Sequence, residues 1–168
     1  SRILVTLGGV DPEDRTSTVV TAINRVLPPS VQVDVVVGSA FPNVRSLTGL
    51  CREFNFKLHV QADNMATLME RADLAIGAAG ASSWERCMMA LPAIVLVTAQ
   101  NQNRIAQELD RMEAARVVDC MNNPEWPALL QREVQGLVKS PTALTRMSIN
   151  AKGVMRNYVD VVDILLAT

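Results

Sequence analysis

The sequence predicts a doubly wound α/β domain with a Rossmann-like parallel sheet. Two observations lead to this class. Short runs of continuous apolar residues recur along the chain, and segments with a helical apolar pattern separate them. Strands that are apolar on both faces are typical of parallel sheets covered by helices on both sides. A length of 168 residues suits one such domain with a single core, so we treat 1–168 as one domain.

Six apolar runs are predicted strands, and glycine ends several of them. The first run stops at Gly8-Gly9, the second stops at Gly38, and the fourth leads into the loop Gly77–Ala81. Glycine after an apolar run is typical of a βα turn. The predicted strands are Ile3–Leu7, Val31–Val37, Phe56–Val60, Leu74–Ile76, Ala93–Val97 and Arg116–Val118.

Helices are predicted between these strands, and proline marks several of their ends. Asp11-Pro12 begins the first helix, Pro28-Pro29 closes it, and Pro92 ends the fourth. Asp63 or Asn64 is the expected cap of the third helix. The predicted helices are Glu13–Leu27, Pro42–Phe54, Met65–Arg71, Ser82–Leu91, Asn101–Glu113 and Glu125–Val138, followed by a tail, Pro141–Thr168, of two helices with a break near Gly153.

Composition argues against several classes of function. The formal net charge is −1, so there is no basic field that would attract nucleic acid or an anionic membrane. No segment reaches the roughly 18 apolar residues of a membrane span. The three cysteines are odd in number and widely spaced, and His59 is the only histidine, which disfavours a disulfide framework and a zinc site. We therefore expect a cytoplasmic protein with buried cysteines, no metal and no cofactor.

Two glycine-bearing loops follow predicted strands, and both lead into helices. They are Gly8-Gly9 and Gly77–Ser83. Ligands of open parallel sheets bind beyond the carboxyl ends of the strands, where free N–H groups at a helix start favour a phosphate. Neither loop matches GxGxxG or the Walker motif, which disfavours a dinucleotide fingerprint and a P-loop NTPase. Glycine that serves turn geometry alone is an equally good explanation for each loop.

Two polar segments allow a structural and a functional interpretation. Ser82 and Glu85 have the spacing of a capping box, in which Glu85 bonds back to the Ser82 N–H. Alternatively, the two oxygens of the Glu85 carboxylate accept hydrogen bonds from the two hydroxyls of a ribose. Spacing alone favours the capping box. The cluster Ala99–Asn103 predicts either a helix cap or amide groups that face a sugar, and its spacing does not decide between them.

Candidates for acid–base chemistry are scarce. His59 lies inside a predicted strand, a position more typical of a structural histidine. Asp11 is the best-placed carboxylate, although Asp-Pro is also an ordinary helix start. There is no GxSxG or HExxH motif. These residues predict a binding site rather than a complete catalytic set.

Three ordered segments resemble a known enzyme family. Leu7–Pro12 resembles its GGxDP loop, and Ala72–Cys87 resembles its ADLAIGAGGxTxWER motif. Leu91-Pro92 together with Gln100–Gln102 resembles its GLP…ENQ block. The motifs are those of the C-terminal domain of the UDP-2,4-diacetamido-2,4,6-trideoxy-β-L-altropyranose hydrolases of pseudaminic acid synthesis. That family is related in fold to the lipid II glycosyltransferase of peptidoglycan synthesis, and the similarity spans Ile3 to Glu108.

The resemblance implies one half of a GT-B fold that binds a UDP-linked amino sugar and needs no cofactor. It implies that Glu85 contacts the ribose and that the Gly77–Ser83 loop holds the diphosphate, while the uracil meets the backbone around Val60 to Met65. It implies that Asn101 lies beside the reacting centre of the sugar as the candidate catalytic residue. The implied UDP-sugar-binding residues are Gly8, Gly9, Asp11, Gly77, Ala78, Ala79, Gly80, Ala81, Ser82, Ser83, Glu85, Gln100 and Gln102.

The sequence departs from the family pattern in several places. Val10 stands where serine is usual, Ser83 where threonine is common, and Gln100 where glutamate is common. The Gly77–Gly80 segment also has an alanine where the family often has a second consecutive glycine. The family's catalytic histidine belongs to an N-terminal domain, and His59 is not in a matching motif. We therefore expect that domain to be absent from this chain and the isolated chain to turn over little substrate.

Three functions from two classes remain open on the sequence. The first is the UDP-sugar-binding half of a hydrolase that releases UDP from a diacetamido-trideoxy hexose. The second is the same half of a UDP-sugar glycosyltransferase, in which an acceptor hydroxyl displaces UDP. The third is a non-catalytic UDP-sugar-binding or interaction domain. For the third, we expect a polar and closed face at the carboxyl edge of the sheet, whereas an exposed apolar patch there indicates a missing domain.

Overall fold

The computed structural model describes the backbone of residues 1–166 and the side chains of residues 1–156. Its centre is one six-stranded sheet, and all five strand pairs are parallel. The strand order is β3-β2-β1-β4-β5-β6. The predicted doubly wound, Rossmann-like class is therefore confirmed. The strands are β1 (Arg2–Thr6), β2 (Gln32–Val37), β3 (Lys57–Val60), β4 (Leu74–Ala78), β5 (Ala93–Val97) and β6 (Ala115–Asp119).

Seven α-helices connect or follow the strands, close to their predicted positions. The largest boundary differences are three residues, at the ends of the first and fourth helices. After β5, Gln100–Gln102 forms a short 3-10 helix, so the fifth helix begins at Asn103 instead of Asn101. Asn64 occupies the cap position of the third helix but makes no capping hydrogen bond with its side chain. The helices are α1 (Arg15–Asn24), α2 (Val44–Glu53), α3 (Met65–Arg71), α4 (Ser82–Met88), α5 (Asn103–Arg111), α6 (Trp126–Val138) and α7 (Pro141–Leu166).

Two apolar clusters cover the two faces of the sheet. One joins alternate strand residues such as Val5 and Ile76 to side chains of α1, α2 and α6. The other joins the intervening residues, such as Leu4 and Ala75, to α3, α4 and α5. Because successive strand side chains point to opposite faces, both sets must be apolar. This arrangement explains the continuous apolar runs of the sequence.

The tail differs from its prediction. The break expected near Gly153 is wrong, because Pro141–Leu166 forms one continuous helix. A glycine inside a helix costs only about 1 kcal/mol, which tertiary packing offsets. Ala151 and Val154, on either side of Gly153, are buried in the same apolar cluster as α4. The apolar side chains of the sequence beyond residue 156 lie outside the described residues.

The single histidine has a structural partner. His59 on β3 and Asp34 on β2 are joined by a hydrogen bond of 2.7 Å between Nε2 and Oδ1. Asp34 also accepts a hydrogen bond of 3.2 Å from Nη1 of Arg2 on β1, so one buried carboxylate links three adjacent strands. This arrangement agrees with the structural interpretation of His59. Within the side chains that the structure describes, no group of His, Cys, Asp and Glu is arranged to hold a metal ion.

The three cysteines are buried free thiols, as expected of apolar filling residues. Burial raises the pKa of Cys51 and of Cys120 to about 11. Among the helices of the described residues, none is both long enough and apolar enough to cross a membrane.

We predict that the stability of the domain falls as the pH rises above 9. The unfolded chain loses its thiol protons near pH 9.0, whereas the folded chain keeps those of Cys51 and Cys120 until about pH 11. The unfolded state is therefore increasingly favoured between these values. Urea unfolding from pH 7 to 10.5 measures this decline. The double variant Cys51→Ala, Cys120→Ala is the control, and an equally steep decline in that variant would contradict the assignment to the thiols.

Candidate functional site

Three of the motif-bearing loops meet at one edge of the sheet. They follow β1, β4 and β5, which are neighbours in the strand order. Thr6 pairs with Gly77, and Gly77 pairs with Val95, so these strands end at nearly the same level. Adjacent strands lie about 4.8 Å apart, so all three loops are within reach of one nucleotide.

The strand order reverses at this place. The chain passes from β1 outward to β2 and β3, and then returns to the opposite side of β1 as β4. The crevice beyond the carboxyl ends of β1 and β4 is therefore the topological switch point, where open α/β sheets bind their ligands.

The two glycines of the loop after β1 are constrained for different reasons. Gly8 has a φ of +104°, which strongly favours glycine. Gly9 has open space where a Cβ would be, but its own backbone packs against Gly38. A Cβ on Gly38 would lie 2.2 Å from the Gly9 carbonyl oxygen. Gly38, which was not a candidate from the sequence, therefore allows the loop after β1 to rest on the loop after β2.

Asp11 has a structural role that the sequence left open. Its Oδ1 accepts a hydrogen bond of 3.1 Å from the Arg15 N–H, and its Oδ2 accepts one of 2.8 Å from the Thr16 N–H. Oδ2 also accepts a hydrogen bond of 2.6 Å from the Thr16 hydroxyl. All three contacts join the carboxylate to the start of α1. They favour a capping role, and the assignment of Asp11 to the UDP-sugar site stays a prediction.

The loop after β4 begins later than predicted, because Gly77 and Ala78 belong to the strand. Gly77, Ala78 and Ala79 are buried, and the Ala79 N–H donates to the Leu96 carbonyl of β5. A Cβ on Gly77 would lie 2.6 Å from Nη1 of Arg86 and 2.7 Å from the Thr6 carbonyl oxygen. Close packing inside the protein is thus a sufficient reason for glycine at position 77.

The exposed part of the β4–α4 loop presents unused backbone donors. The N–H groups of Gly80 and Ala81 donate to no acceptor among the described residues. A Cβ on Gly80 would meet no atom within 4 Å, so the space above this residue is open. Paired backbone N–H groups in such a turn favour an anion. Of the predicted diphosphate loop, this is the segment best placed to contact a ligand.

The capping-box interpretation of Ser82 and Glu85 is wrong. The cap position of α4 is Ala81, and the helix start has no side-chain capping bond. The Ser82 hydroxyl instead accepts a hydrogen bond of 3.2 Å from Nη1 of Arg86. Glu85 is exposed and accepts no hydrogen bond from any described residue. Its carboxylate is therefore available to a ligand.

Arg86 is the site residue that sequence reasoning missed. Its side chain is 1% exposed, and its Nη2 donates to the Ala78 carbonyl and to the Ser83 hydroxyl, both at 2.8 Å. The sequence carried two signals: Arg86 matches the last residue of the ADLAIGAGGxTxWER motif, and its spacing of three and four residues from Ser83 and Ser82 places all three on one side of a helix. Arginine is almost never fully buried without a charged partner, so neither signal indicated that Arg86 is buried.

Gln102, one of the predicted residues, makes hydrogen bonds that hold the loop after β5 in place. Gln102 Oε1 accepts a hydrogen bond of 2.9 Å from the Thr98 N–H, and one of 3.2 Å from the Thr98 hydroxyl. These bonds occupy the carbonyl end of the side chain and leave the amide donors of Gln102 for other partners. Gln100 and Asn101 are exposed on the same short helix. The contacts of these three residues with a sugar stay predictions.

Comparison of the amino-acid sequence with those of known proteins identifies two relatives of this chain. It is 32% identical over 117 residues to the spore coat polysaccharide biosynthesis protein SpsG of Bacillus subtilis, covering 67% of this chain and 34% of that protein. It is 35% identical over 97 residues to a Nostoc UDP-N-acetylglucosamine--N-acetylmuramyl-(pentapeptide) pyrophosphoryl-undecaprenol N-acetylglucosamine transferase, covering 55% and 27%. The aligned part is thus about a third or less of the length of each relative.

The fold is also found in a solved glycosyltransferase structure. WaaG, a glycosyltransferase of lipopolysaccharide biosynthesis, superimposes with a TM-score of 0.73 at 16% identity, over 91% of this chain and 42% of WaaG. The predicted fold, a Rossmann-like half of a GT-B fold, is confirmed by this likeness. Residues 3–160 match the glycosyltransferase family 28 C-terminal domain. The chain belongs to the glycosyltransferase family 28 C-terminal domain family.

Proposed function

We propose that this chain is the nucleotide-sugar-binding domain of a UDP-sugar glycosyltransferase. The observation that carries the proposal is the meeting of three loops at the topological switch point, where an exposed carboxylate stands beside unused backbone donors. The carboxylate belongs to Glu85, and the donors belong to Gly80 and Ala81. A nucleoside diphosphate needs both kinds of partner: acceptors for the ribose hydroxyls and donors for the phosphates.

Each part of the proposed ligand has its own set of residues. The Glu85 carboxylate accepts hydrogen bonds from the two ribose hydroxyls, and the loop from Gly80 to Ser83 binds the diphosphate. The sugar lies toward the loop after β5, where Gln100 and Asn101 are exposed and the amide donors of Gln102 remain unused. This order supports a UDP-sugar that spans the ends of β4 and β5.

Transfer to an acceptor is better supported than hydrolysis. The matched family is named for glycosyltransferases, and a relative with 35% identity is named as an N-acetylglucosamine transferase. The hydrolase interpretation depends on the three motif resemblances of the sequence, and it remains the second candidate. Release of UDP from UDP-N-acetylglucosamine by the full-length protein in the absence of any acceptor would favour hydrolysis.

We infer that a second domain of the full-length protein covers this edge of the sheet. Val10 and Met121 follow β1 and β6, Val60 is the last residue of β3, and each is between 41% and 56% exposed. Exposed apolar side chains that follow strands at one edge are compatible with an interface there. The same inference explains why the described site offers binding groups but no histidine. A complete catalytic set would then draw on both domains.

The proposal predicts that the chain binds UDP and that Glu85→Ala weakens this binding. Loss of hydrogen bonds to a charged acceptor costs about 1.5–3 kcal/mol, which is about tenfold or more in the dissociation constant. Calorimetric titration with UDP measures both values. Glu70→Ala is the matched control, because Glu70 is an exposed glutamate on α3, away from the three loops.

Each result has a distinct meaning. If UDP binds and only Glu85→Ala weakens it, the nucleotide-sugar function is supported. No binding of UDP at millimolar concentration would contradict the proposal and favour a domain that shares only the fold. Unchanged binding in Glu85→Ala would show that the ribose lies elsewhere and that the assignment of the site is wrong.

A further inference from the structure

The packing of the domain alone does not explain why Arg86, a charged residue, is buried beneath the β4–α4 loop. Arg86 is 1% exposed, and no carboxylate among the described side chains lies within salt-bridge distance of it. Its Nε is buried without a hydrogen-bond partner. Burying a cation without a partner ion costs free energy, because hydrogen bonds to neutral acceptors replace its hydration only in part. Such a residue therefore needs a reason beyond stability.

The contacts of Arg86 lie at the end of β4 and the start of α4, on either side of the loop that carries the free backbone donors. One guanidinium group donates to the Ala78 carbonyl, the Ser82 hydroxyl and the Ser83 hydroxyl, at 2.8, 3.2 and 2.8 Å. These three residues lie on either side of Gly80 and Ala81. A planar guanidinium holds several acceptors in one fixed geometry, which a lysine cannot do. Arg86 thereby fixes, from the buried side, the positions of the residues that flank Gly80 and Ala81.

The charge also lies at the switch point of the sheet. The guanidinium lies against the backbone of Gly77, whose neighbour across the sheet is Thr6 at the carboxyl end of β1. Burial lowers the pKa of Arg86 to about 10, so the group still carries its positive charge at neutral pH. Charges interact more strongly where water is excluded than they do at an exposed surface. An anion bound between the ends of β1 and β4 would therefore be attracted by this positive charge.

We propose that Arg86 is a positioning residue for the nucleoside diphosphate, holding the β4–α4 loop in its binding shape and supplying the buried positive charge that the diphosphate neutralises. This inference rests on the proposed function and extends it to a residue that does not itself touch the nucleotide. It predicts selectivity of a definite kind. Arg86 favours the diphosphate end of the ligand and has no effect on the uridine end.

The experiment compares UDP with uridine in the wild-type chain and in two variants, by NMR titration. Arg86→Met removes the charge and the hydrogen bonds, and we expect it to weaken UDP about tenfold or more while uridine affinity stays unchanged. Arg86→Lys keeps the charge but loses the planar contacts, so we expect a smaller loss for UDP only. Arg52→Met is the matched control, because it removes an exposed arginine in the last turn of α2, at the end of the helix opposite the β2–α2 loop.

The ratio of the two affinities separates positioning from a merely structural role. A parallel loss of UDP and uridine affinity would overturn the inference, and so would unchanged affinity for both ligands. If Arg86→Met does not fold, Arg86→Lys alone decides, because the inference requires a lower ratio of UDP to uridine affinity there as well. If the wild-type chain binds neither ligand, the proposed function fails and this inference fails with it. If it binds UDP but the ratio never changes, only this inference fails.

Discussion

Replacing Gly77 with alanine is expected to lower the free energy of unfolding by about 3 kcal/mol. The new Cβ would lie 2.7 Å from the Thr6 carbonyl oxygen and 2.6 Å from Nη1 of Arg86. The carbonyl oxygen belongs to β1, a central strand paired on both sides, so it cannot move without disturbing the sheet. Urea unfolding followed by circular dichroism measures the loss. For a domain of this size, thermal unfolding should shift downward by roughly 6–12 °C.

A matched glycine gives the control for this prediction. Gly136 lies exposed in α6, and a Cβ there would meet nothing within 4 Å. Gly136→Ala is expected to stabilise the domain by up to about 1 kcal/mol, because alanine restricts the unfolded chain. The double variant Gly77→Ala, Arg86→Met removes one of the two clashes and should recover part of the loss. Equal stability of Gly77→Ala and wild type would show that the strands have room that the packing does not indicate.

Replacing Asp11 with alanine is expected to cost about 3 kcal/mol of stability. The substitution removes the acceptors of two backbone N–H groups at the start of α1. It also leaves the Thr16 hydroxyl without its partner, and Thr16 is 1% exposed. Chemical unfolding measures the loss. Asp63→Ala is the control, since Asp63 is an exposed aspartate with no hydrogen bond to a described residue, and a change within about 0.5 kcal/mol is expected there.

A second substitution at Asp11 distinguishes a capping role from a direct contact with the ligand. Asp11→Asn keeps one acceptor oxygen, so we expect it to retain most of the stability lost in Asp11→Ala. Its UDP affinity should equal that of the wild type if the carboxylate serves only α1. Weaker UDP binding in a variant of wild-type stability would instead support the role that the family resemblance implies for Asp11.

The class of fold was predictable because it depends on a pattern that repeats along the chain. Each strand of a doubly wound sheet is covered on both faces, so each must be a continuous apolar run, and the sequence contains six of them. The order of the strands was not predictable in this way. The tertiary structure gave that order, since any apolar strand packs equally well beside several others. The break near Gly153 was wrong for a related reason, because the packing of α7 outweighs the low helix propensity of one glycine.

The candidate site was predictable as a set of loops, and less so as a set of contacts. Glycine and polar residues after apolar runs indicated which loops lie at the carboxyl edge, and the structure brings three of them to adjacent strands. The spacing of Ser82 and Glu85 favoured a capping box, but the structure uses the serine hydroxyl as a partner for Arg86. Local spacing lists the partners available to a side chain. It does not determine which of these partners the side chain contacts once the core is packed.

By itself, the sequence determined the α/β class, the number of strands and the loops that carry the candidate binding residues, because these depend on local composition and periodicity. Only the tertiary structure decided what Asp11, Gly77 and Arg86 do. Asp11 accepts hydrogen bonds from the N–H groups of α1, Gly77 makes room for a guanidinium, and Arg86 lies buried against the residues that flank the β4–α4 loop. These roles are set by burial and by contacts between strands and helices, and such contacts leave no regular pattern in a single sequence.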